Sequence, residues 1–238
     1  MHRDLLLSVV IPCLNEEHGI PHVVAKIPKQ VDEILVLDNC STDRTVHVAK
    51  KQGPRVRVVE HPRNLGYGGS YIRGLPLATG DVIITTDGDG TYPVEDCLRI
   101  VDQMVEQDVD FVSCSRFPLQ DAMGMHPRSR VGNAILNVLV NTFYGLNLAD
   151  GQSGMWIFKK KILSQMRLET TGMAFSNEIK IEAFRHPNIN AIEVPIRYRE
   201  RIGESKLYPF RDGVRMVNYL TRRRLDEARR ALLPSTTP

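Results

Sequence analysis

Val82-Ile83-Ile84-Thr85-Thr86-Asp87-Gly88-Asp89 is the stretch of this 238-residue chain on which its fold turns. A β-branched run closes on two carboxylates spaced two apart, with glycines at 88 and 90 beside them. Residues two apart on a strand point to the same side, so both carboxylates are expected to face one cation at the strand's C-terminal edge. The glycines leave room for a bulky ligand to approach the backbone. Hard oxygen ligands of this kind suit Mg²⁺ or Mn²⁺ held together with substrate phosphates. That chemistry belongs to proteins that handle nucleoside diphosphates.

Outward from this stretch, strand and helix signals alternate. Strands are expected at 5–12, 33–38, 56–60, 81–87 and 110–114, and helices at 19–27, 42–52, 69–78 and 94–107. Ser41 and Thr42 ahead of Asp43 read as an N-cap with an acidic first turn. The alternation predicts an α/β fold, a mostly parallel central sheet with helices on both faces. Ligands then sit at the strands' C-terminal ends. The second half predicts a helix at 128–144, a short strand at 155–158 and a helix at 175–185. A strand at 192–198 contains Pro195 and is expected at a sheet edge. A domain over residues 1–208 is expected, followed over 209–238 by a basic helix and a disordered tail.

The chain is 42% apolar and 25% charged, ordinary for a soluble globular protein, and long enough to bury a sizeable core. Net charge is +3, with the excess concentrated in 197–230, including Arg222-Arg223-Arg224 and Arg229-Arg230. This fits a local anionic partner better than a nucleic acid, and no nucleic-acid partner is expected. Cys13, Cys40, Cys97 and Cys114 show no metal-ligand spacing, so reduced thiols and a cytoplasmic setting are expected. Neither 5–11 nor 131–148 is long and apolar enough to span a membrane. Peripheral contact with the cytosolic membrane face through helix 209–230 stays open, as does homo-oligomer formation.

Other strand ends carry polar groups. Pro12-Cys13-Leu14-Asn15-Glu16-Glu17 follows the first strand. Pro12 is expected to stop the ladder, while Asn15 and Glu16 emerge where a ligand binds or else cap a turn. The second strand ends in Asp38-Asn39-Cys40-Ser41-Thr42-Asp43, where Asp38 can accept hydrogen bonds from a base or ribose, or join a helix-capping cluster. Gly66-Tyr67-Gly68-Gly69, after Arg63-Asn64, reads either as a phosphate cradle at a helix N-terminus or as a tight packing loop. Tyr71 stands where the dinucleotide fingerprint needs glycine, which disfavours a nicotinamide or flavin enzyme. Thr91 and Tyr92 likewise disfavour a calcium loop opening at Asp87. Arg199, Arg201 and Lys206 flank Gly203 in a loop suited to closing over phosphates, a solvated basic loop being the alternative. Arg116, Arg128 and Arg130 add cations that can converge on the same edge.

Together these motifs resemble the family 2 glycosyltransferases of GT-A fold, and within them the polyprenyl-phosphate sugar transferases such as dolichol-phosphate mannose or glucose synthase. The marks run from about Leu5 to Leu207: Val10-Ile11-Pro12 with Asn15-Glu16, Asp38 with Ser41-Thr42-Asp43, Asn64-Leu65-Gly66-Tyr67-Gly68, Asp87-Gly88-Asp89, Asp150 with Ser153-Gly154, and Arg201 with Gly203-Glu204-Ser205-Lys206-Leu207. The resemblance implies an inverting transferase moving a hexose from a UDP- or GDP-linked sugar to a polyprenyl phosphate. It implies that Pro12, Leu14, Asn15, Glu16 and Asp38 hold the nucleoside, with Asn64, Gly68 and Gly88 completing the donor site. Asp87 and Asp89 would meet Mg²⁺ or Mn²⁺ and the diphosphate. Arg116, Arg130, Arg201 and Lys206 would line the acceptor phosphate and donor diphosphate. Two departures stand out: Thr91 replaces a frequent metal-contacting Gln, and Asn39 replaces the second acidic residue of the usual Asp-Asp-Gly-Ser.

A phosphate acceptor with a second pKa of about 6 is largely ionised at neutral pH, so a strong base is dispensable. A hydroxyl acceptor would need one. Asp150 and Glu178 are the candidates, with a structural role for Glu178 equally open. The competing readings are a soluble transferase acting on a hydroxyl of a small metabolite or peptide, and a non-catalytic nucleotide-sugar sensor. A nucleotidyltransferase would want a Gly-rich basic loop near the N-terminus, which 12–19 does not supply.

Overall fold

The computed structural model describes residues 1–119, 125, 127–203 and 209–232. Among them, β1 (Leu7–Cys13), β2 (Glu33–Asp38), β3 (Val56–Glu60), β4 (Val82–Thr85), β5 (Phe111–Ser115), β6 (Trp156–Lys159) and β7 (Ala191–Pro195) form one sheet. Its order is β3-β2-β1-β4-β6-β5-β7. All neighbours pair parallel except β6, which runs antiparallel to both β4 and β5. The helices are α1 (Gly19–Lys26), α2 (Thr45–Lys50), α3 (Gly66–Gly74), α4 (Cys97–Glu106), α5 (Pro127–Tyr144), α6 (Phe175–Arg185) and α7 (Pro209–Leu232).

Strands buried on both faces supply two cores by simple alternation. Val9, Ile11, Ile34, Val36, Val82 and Ile84 pack on one side with Ile20 and Val23 of α1 and Ile100 and Met104 of α4. Val10, Leu35, Leu37 and Ile83 pack on the other with Tyr71 of α3 and Phe175 and Ile179 of α6. Tyr71 stacks on Phe175 with centroids 5.5 Å apart, and Trp156 closes the aromatic group. A separate cluster joins Val140 and Tyr144 of α5 to Ile181 of α6 and Leu220 of α7.

The chain leaves β1 toward β2 on one side, and β4 lies on the other. The crevice beyond the C-terminal ends of β1 and β4 is therefore a topological switch point, where open α/β sheets bind ligands.

Local details correct the sequence reading. Pro12 does not stop the ladder: it pairs opposite Leu37 inside β1. Val10 O accepts the Thr86 N–H toward β4; Pro12, two residues on, turns the same way where β4 has ended, so its missing N–H costs nothing. Helix α2 starts at Thr45 rather than 42, because Ser41 and Thr42 are drawn into bonds with Asn15. Helix α3 starts at Gly66 and ends in a 3-10 turn over Leu75–Leu77. Pro195 lies in β7, which is an edge strand as expected.

Candidate active site

Strand β4 ends at Thr85, so Asp87 and Asp89 sit on the loop leaving the strand, not on the strand as their spacing predicted. What aims them is tertiary. Gly90, at φ +76°, turns the chain. The segment after β7 then runs alongside, with the Ile202 N–H donating to Asp89 O at 2.8 Å and the Arg199 N–H to Thr91 O at 2.9 Å. That register sets the Arg201 guanidinium 2.7 Å from Asp89 Oδ2. Asp89 Oδ1 accepts the Thr91 N–H at 3.0 Å and the Thr91 hydroxyl at 2.7 Å, so the residue at the family's Gln position orients the acid instead. Tyr67 O–H donates to Asp87 Oδ1 at 3.3 Å. Burial, followed by the charge of Asp89, pushes the Asp87 carboxyl up to about 7, against the pull of Arg201.

A carboxyl held that high by burial and a neighbouring carboxylate is a site that a divalent cation would relieve, and two hard oxygens suit Mg²⁺ or Mn²⁺. The residues present therefore fit such an ion. No group of three or more His, Cys, Asp or Glu side chains that could hold a metal occurs among the described residues. The remaining ligands would come from a bound diphosphate or water.

The neighbouring strand ends are knitted together. The Asn15 N–H donates to Ser41 Oγ at 2.9 Å and Asn15 Oδ1 accepts the Thr42 N–H at 2.8 Å, with Asn15 at φ +55°. The Glu16 N–H donates to Thr45 Oγ1 at 2.7 Å. Pro12 and Leu14 lie half-buried at the end of β1. Asp38 is buried; its Oδ2 accepts the Cys40 and Ser41 N–H groups, each at 3.2 Å, while its Oδ1 has no hydrogen-bond partner. An unsatisfied buried carboxylate oxygen at a ligand-binding edge is what a ribose or base donor would complete. Asn39 donates to Asn64 Oδ1 and Gly66 O and accepts the Leu65 N–H. The Asn in place of the family's second acid is thus used as donor and acceptor together.

The glycine run does not form an open cradle. Cβ atoms on Gly66 and Gly68 would collide with the Thr171 and Thr170 carbonyls. The Gly66 N–H already donates to Asn64 Oδ1 and the Gly69 N–H to Thr171 O. Gly66 and Gly68 therefore dock α3 against the 170–171 segment, while Asn64 ties the start of the helix to Asn39. Gly88 is tight for a similar reason, since a Cβ there would stand 3.2 Å from Cys13 Sγ and 3.3 Å from Glu16 Cγ.

On the opposite side of the acidic pair, Arg116 clasps Asp150. Its backbone N–H, Nε and terminal nitrogen donate to the two carboxylate oxygens at 3.0, 2.7 and 2.9 Å, with both residues buried. Against the cost of burial, the guanidinium holds the Asp150 carboxyl well below the usual carboxylate range. Arg116 lies 5.3 Å over the Tyr198 ring, which packs edge-on to Tyr92. Tyr92 accepts the Gly154 N–H at 2.7 Å, and a Cβ on Gly154 would stand 3.5 Å from Asp87 Oδ1, so Arg116, Tyr198, Tyr92 and Gly154 line the approach to the acidic pair.

The sequence reading missed Lys180. It is fully buried on α6 and donates to Asp150 O at 2.6 Å; burial lowers its amine to about 8. Nothing in its apolar neighbours Ile179 and Ile181 marks it. Tyr67, Tyr92 and Tyr198 were also passed over, although each stands within or beside a motif.

Glu178 is placed elsewhere. Its Oε2 accepts the N–H groups of Glu169 and Thr170, and its Oε1 the hydroxyls of Thr170 and Tyr219. Arg130, on the first turn of α5, donates to Met125 O at 3.0 Å. Lys206 and the rest of 204–208 lie outside the described residues, as does the tail 233–238.

Residues 8–167 match the family model for glycosyl transferase family 2. The chain belongs to that family. This family 2 glycosyltransferase is 34% identical over 226 residues to a dolichyl-phosphate hexose transferase of Haloferax volcanii, covering 93% of this chain and 95% of the relative. It is 33% identical over 221 residues to the low-salt glycan biosynthesis hexosyltransferase Agl6 of the same organism, covering 90% of this chain but 52% of the relative. The chain therefore spans about half the length of that protein. In fold it is similar to glucosyl-3-phosphoglycerate synthase from Mycobacterium tuberculosis, solved with Mn²⁺, UDP and phosphoglyceric acid, at a TM-score of 0.73 and 22% identity over 93% of this chain and 79% of the other. The expected GT-A architecture stands.

Proposed function

We propose that this glycosyltransferase moves a hexose, with inversion, from a UDP- or GDP-linked sugar to a polyprenyl phosphate. The observation that carries the choice of acceptor is the engagement of both candidate bases. Glu178 spends its oxygens on the 169–170 segment and Tyr219, and Asp150 spends its own on Arg116. A hydroxyl acceptor would need one of them free; an ionised phosphate oxygen needs neither. The dolichyl-phosphate hexose transferase of Haloferax volcanii, similar over nearly its full length, supports the same acceptor class.

In this reading Asp38 receives the nucleoside and Asp87 and Asp89 hold Mg²⁺ or Mn²⁺. The ion's chemistry is to neutralise the departing nucleoside diphosphate, worth several kcal/mol in a transition state. Arg201 leaves Asp89 for the diphosphate, while Arg116, fixed by Asp150 and Tyr198, orients the acceptor phosphate, and Arg130 and Lys206 add charge. Positioning two anions against each other is then the protein's main work. Residues 1–208 act as the catalytic domain, with 209–238 appended. No helix of the described residues is long and apolar enough to cross a membrane. In this reading the enzyme is cytoplasmic and meets its lipid at the membrane face.

A donor screen tests the reading. UDP and GDP sugars are offered with and without polyprenyl phosphate, and released nucleoside diphosphate is measured. Release dependent on the lipid supports it; equal release with a small hydroxyl acceptor alone favours the soluble alternative.

A further inference from the structure

Lys180 is a buried charge to which the transfer chemistry above gives no task. It sits in the middle of α6 between Ile179 and Ile181, fully buried, and its Nζ donates to Asp150 O at 2.6 Å. A carbonyl does not need an ammonium. Uncharged amides hold the same turn: Asn137 Nδ2 donates to Leu148 O at 2.8 Å, Asn141 Nδ2 to the same oxygen at 2.9 Å, and Asn137 Oδ1 accepts the Gly151 N–H at 2.8 Å. The side-chain amides of Gln152 and Asn177 bond to each other beside it. Burying a cation for one neutral acceptor is costly unless the charge itself is used.

The charge is felt at the Asp150 carboxylate. Asp150 Oδ2 and Oδ1 take the Arg116 nitrogens at 2.7 and 2.9 Å, and both Arg116 and Lys180 draw that carboxyl down. The other groups facing the Lys180 amine are Glu193 of β7 and Cys114 of β5. Glu193 is partly exposed and spends its oxygens on the Ala149 and Asp150 N–H groups. Cys114 is a buried thiol pushed up to about 12, hence uncharged. Helix α5, packed on α6, brings no charged side chain between Val131 and Tyr144, and the Tyr144 hydroxyl is turned to Leu220 O. Two cations thus share the Asp150 carboxylate, which leaves the Arg116 guanidinium less neutralised than a private ion pair would.

We propose that Lys180 is a positioning residue for the acceptor: its charge, acting through Asp150, sets how strongly Arg116 holds the acceptor phosphate. This rests on the polyprenyl-phosphate reading, in which Arg116 orients that phosphate. A pH signature follows. Burial lowers the Lys180 amine to about 8, against the pull of Asp150. Below that pH the ammonium is present and Asp150 is shared. Above it Asp150 neutralises Arg116 alone, and the acceptor is held less tightly. The acceptor phosphate, with a second pKa of about 6, is already ionised throughout this range and adds no limb of its own.

The test measures nucleoside diphosphate release by the full chain at saturating Mg²⁺ between pH 7 and 9.5. The donor is the nucleotide sugar that the screen selects, and the acceptor is a detergent-dispersed short polyprenyl phosphate. Wild-type acceptor KM is expected to rise about tenfold across that range, one pKa unit of coupling, while donor KM stays level. Lys180→Met should raise acceptor KM about tenfold at pH 7 and abolish the alkaline rise, with kcat near wild type. Lys180→Gln keeps a donor for Asp150 O without the charge and should match the Met variant. A Gln variant with wild-type acceptor KM makes Lys180 a hydrogen-bond donor alone, which overturns the proposal. An alkaline rise that persists in either variant also overturns it. If thermal melting shows that neither variant folds, the wild-type profile decides: a level acceptor KM overturns the proposal, and a rise beside a level donor KM supports it. Wild type that releases nothing in response to the lipid sinks the acceptor reading and the proposal together. Lipid-dependent release with a level acceptor KM sinks the proposal alone.

Discussion

Arg201 places its guanidinium 2.7 Å from Asp89 Oδ2, so an internal cation already occupies one arm of the acidic pair. Its side chain is partly exposed, and the backbone bond from Ile202 to Asp89 holds the segment in register. A divalent ion approaching Asp89 meets a competing positive charge. Arg201→Ala should therefore tighten Mn²⁺ binding to the ligand-free protein in calorimetry, while slowing sugar transfer about a hundredfold. Weaker Mn²⁺ binding in the variant would show that Arg201 supports the ion site rather than competing for it.

The Asp87 carboxyl, pushed up to about 7 by burial and Asp89, gives a pH signature. A proton must leave before Asp87 can ligate a metal, so Mn²⁺ affinity should rise about tenfold per pH unit below 7 and level off above it. Stability of the ligand-free protein runs the other way. The folded state holds the proton more tightly than the unfolded chain, so this contribution is full below about pH 4 and is lost as pH rises to 7. Calorimetric titration across pH 5.5–8 checks the first; an affinity flat with pH would remove Asp87 as a ligand.

Asp150 lies between Arg116 and Lys180, accepting three hydrogen bonds from the arginine through its carboxylate and one from the lysine through its carbonyl. Asp150→Asn strips the carboxylate that clasps Arg116 and should cost about 3–5 kcal/mol in denaturant unfolding. A loss under 1 kcal/mol would mean that the cluster is well hydrated in solution.

Gly68 and Gly132 should respond in opposite directions. A Cβ on Gly68 would strike the Thr170 carbonyl and crowd Phe175, so Gly68→Ala must push α3 away from the 170–171 segment. A destabilisation of about 2–4 kcal/mol is expected. Gly132, inside α5 with nothing within 4 Å of a Cβ, should gain up to about 1 kcal/mol as Ala. Thermal melts of the two variants decide it.

Both β-branched runs and acidic ends were legible because their causes are local. The strands 33–38 and 56–60 stand where the sequence put them: the first, buried throughout, announces itself as an apolar run, and the second, a half-exposed edge strand, by its three valines. The start of α2 was misread because Ser41 and Thr42 bond across to Asn15, and no propensity reports a partner 26 or 27 residues away. The glycine loop had two readings, and packing against Thr170 and Thr171, a hundred residues downstream, selected one.

By itself, then, the sequence determined the α/β class, the order of its elements and the presence of Asp38, Asp87, Asp89, Arg116 and Arg201 at chain positions that end or follow strands. Tertiary structure alone decided which of these share a site. It brought Arg201 onto Asp89 through a backbone register, tied Asp150 to Arg116 and Lys180, and took Glu178 away to Thr170 and Tyr219. The physical reason is range: burial and periodicity act over a few neighbouring residues, whereas ion pairs and close packing join groups that only the folded chain brings within a few ångströms.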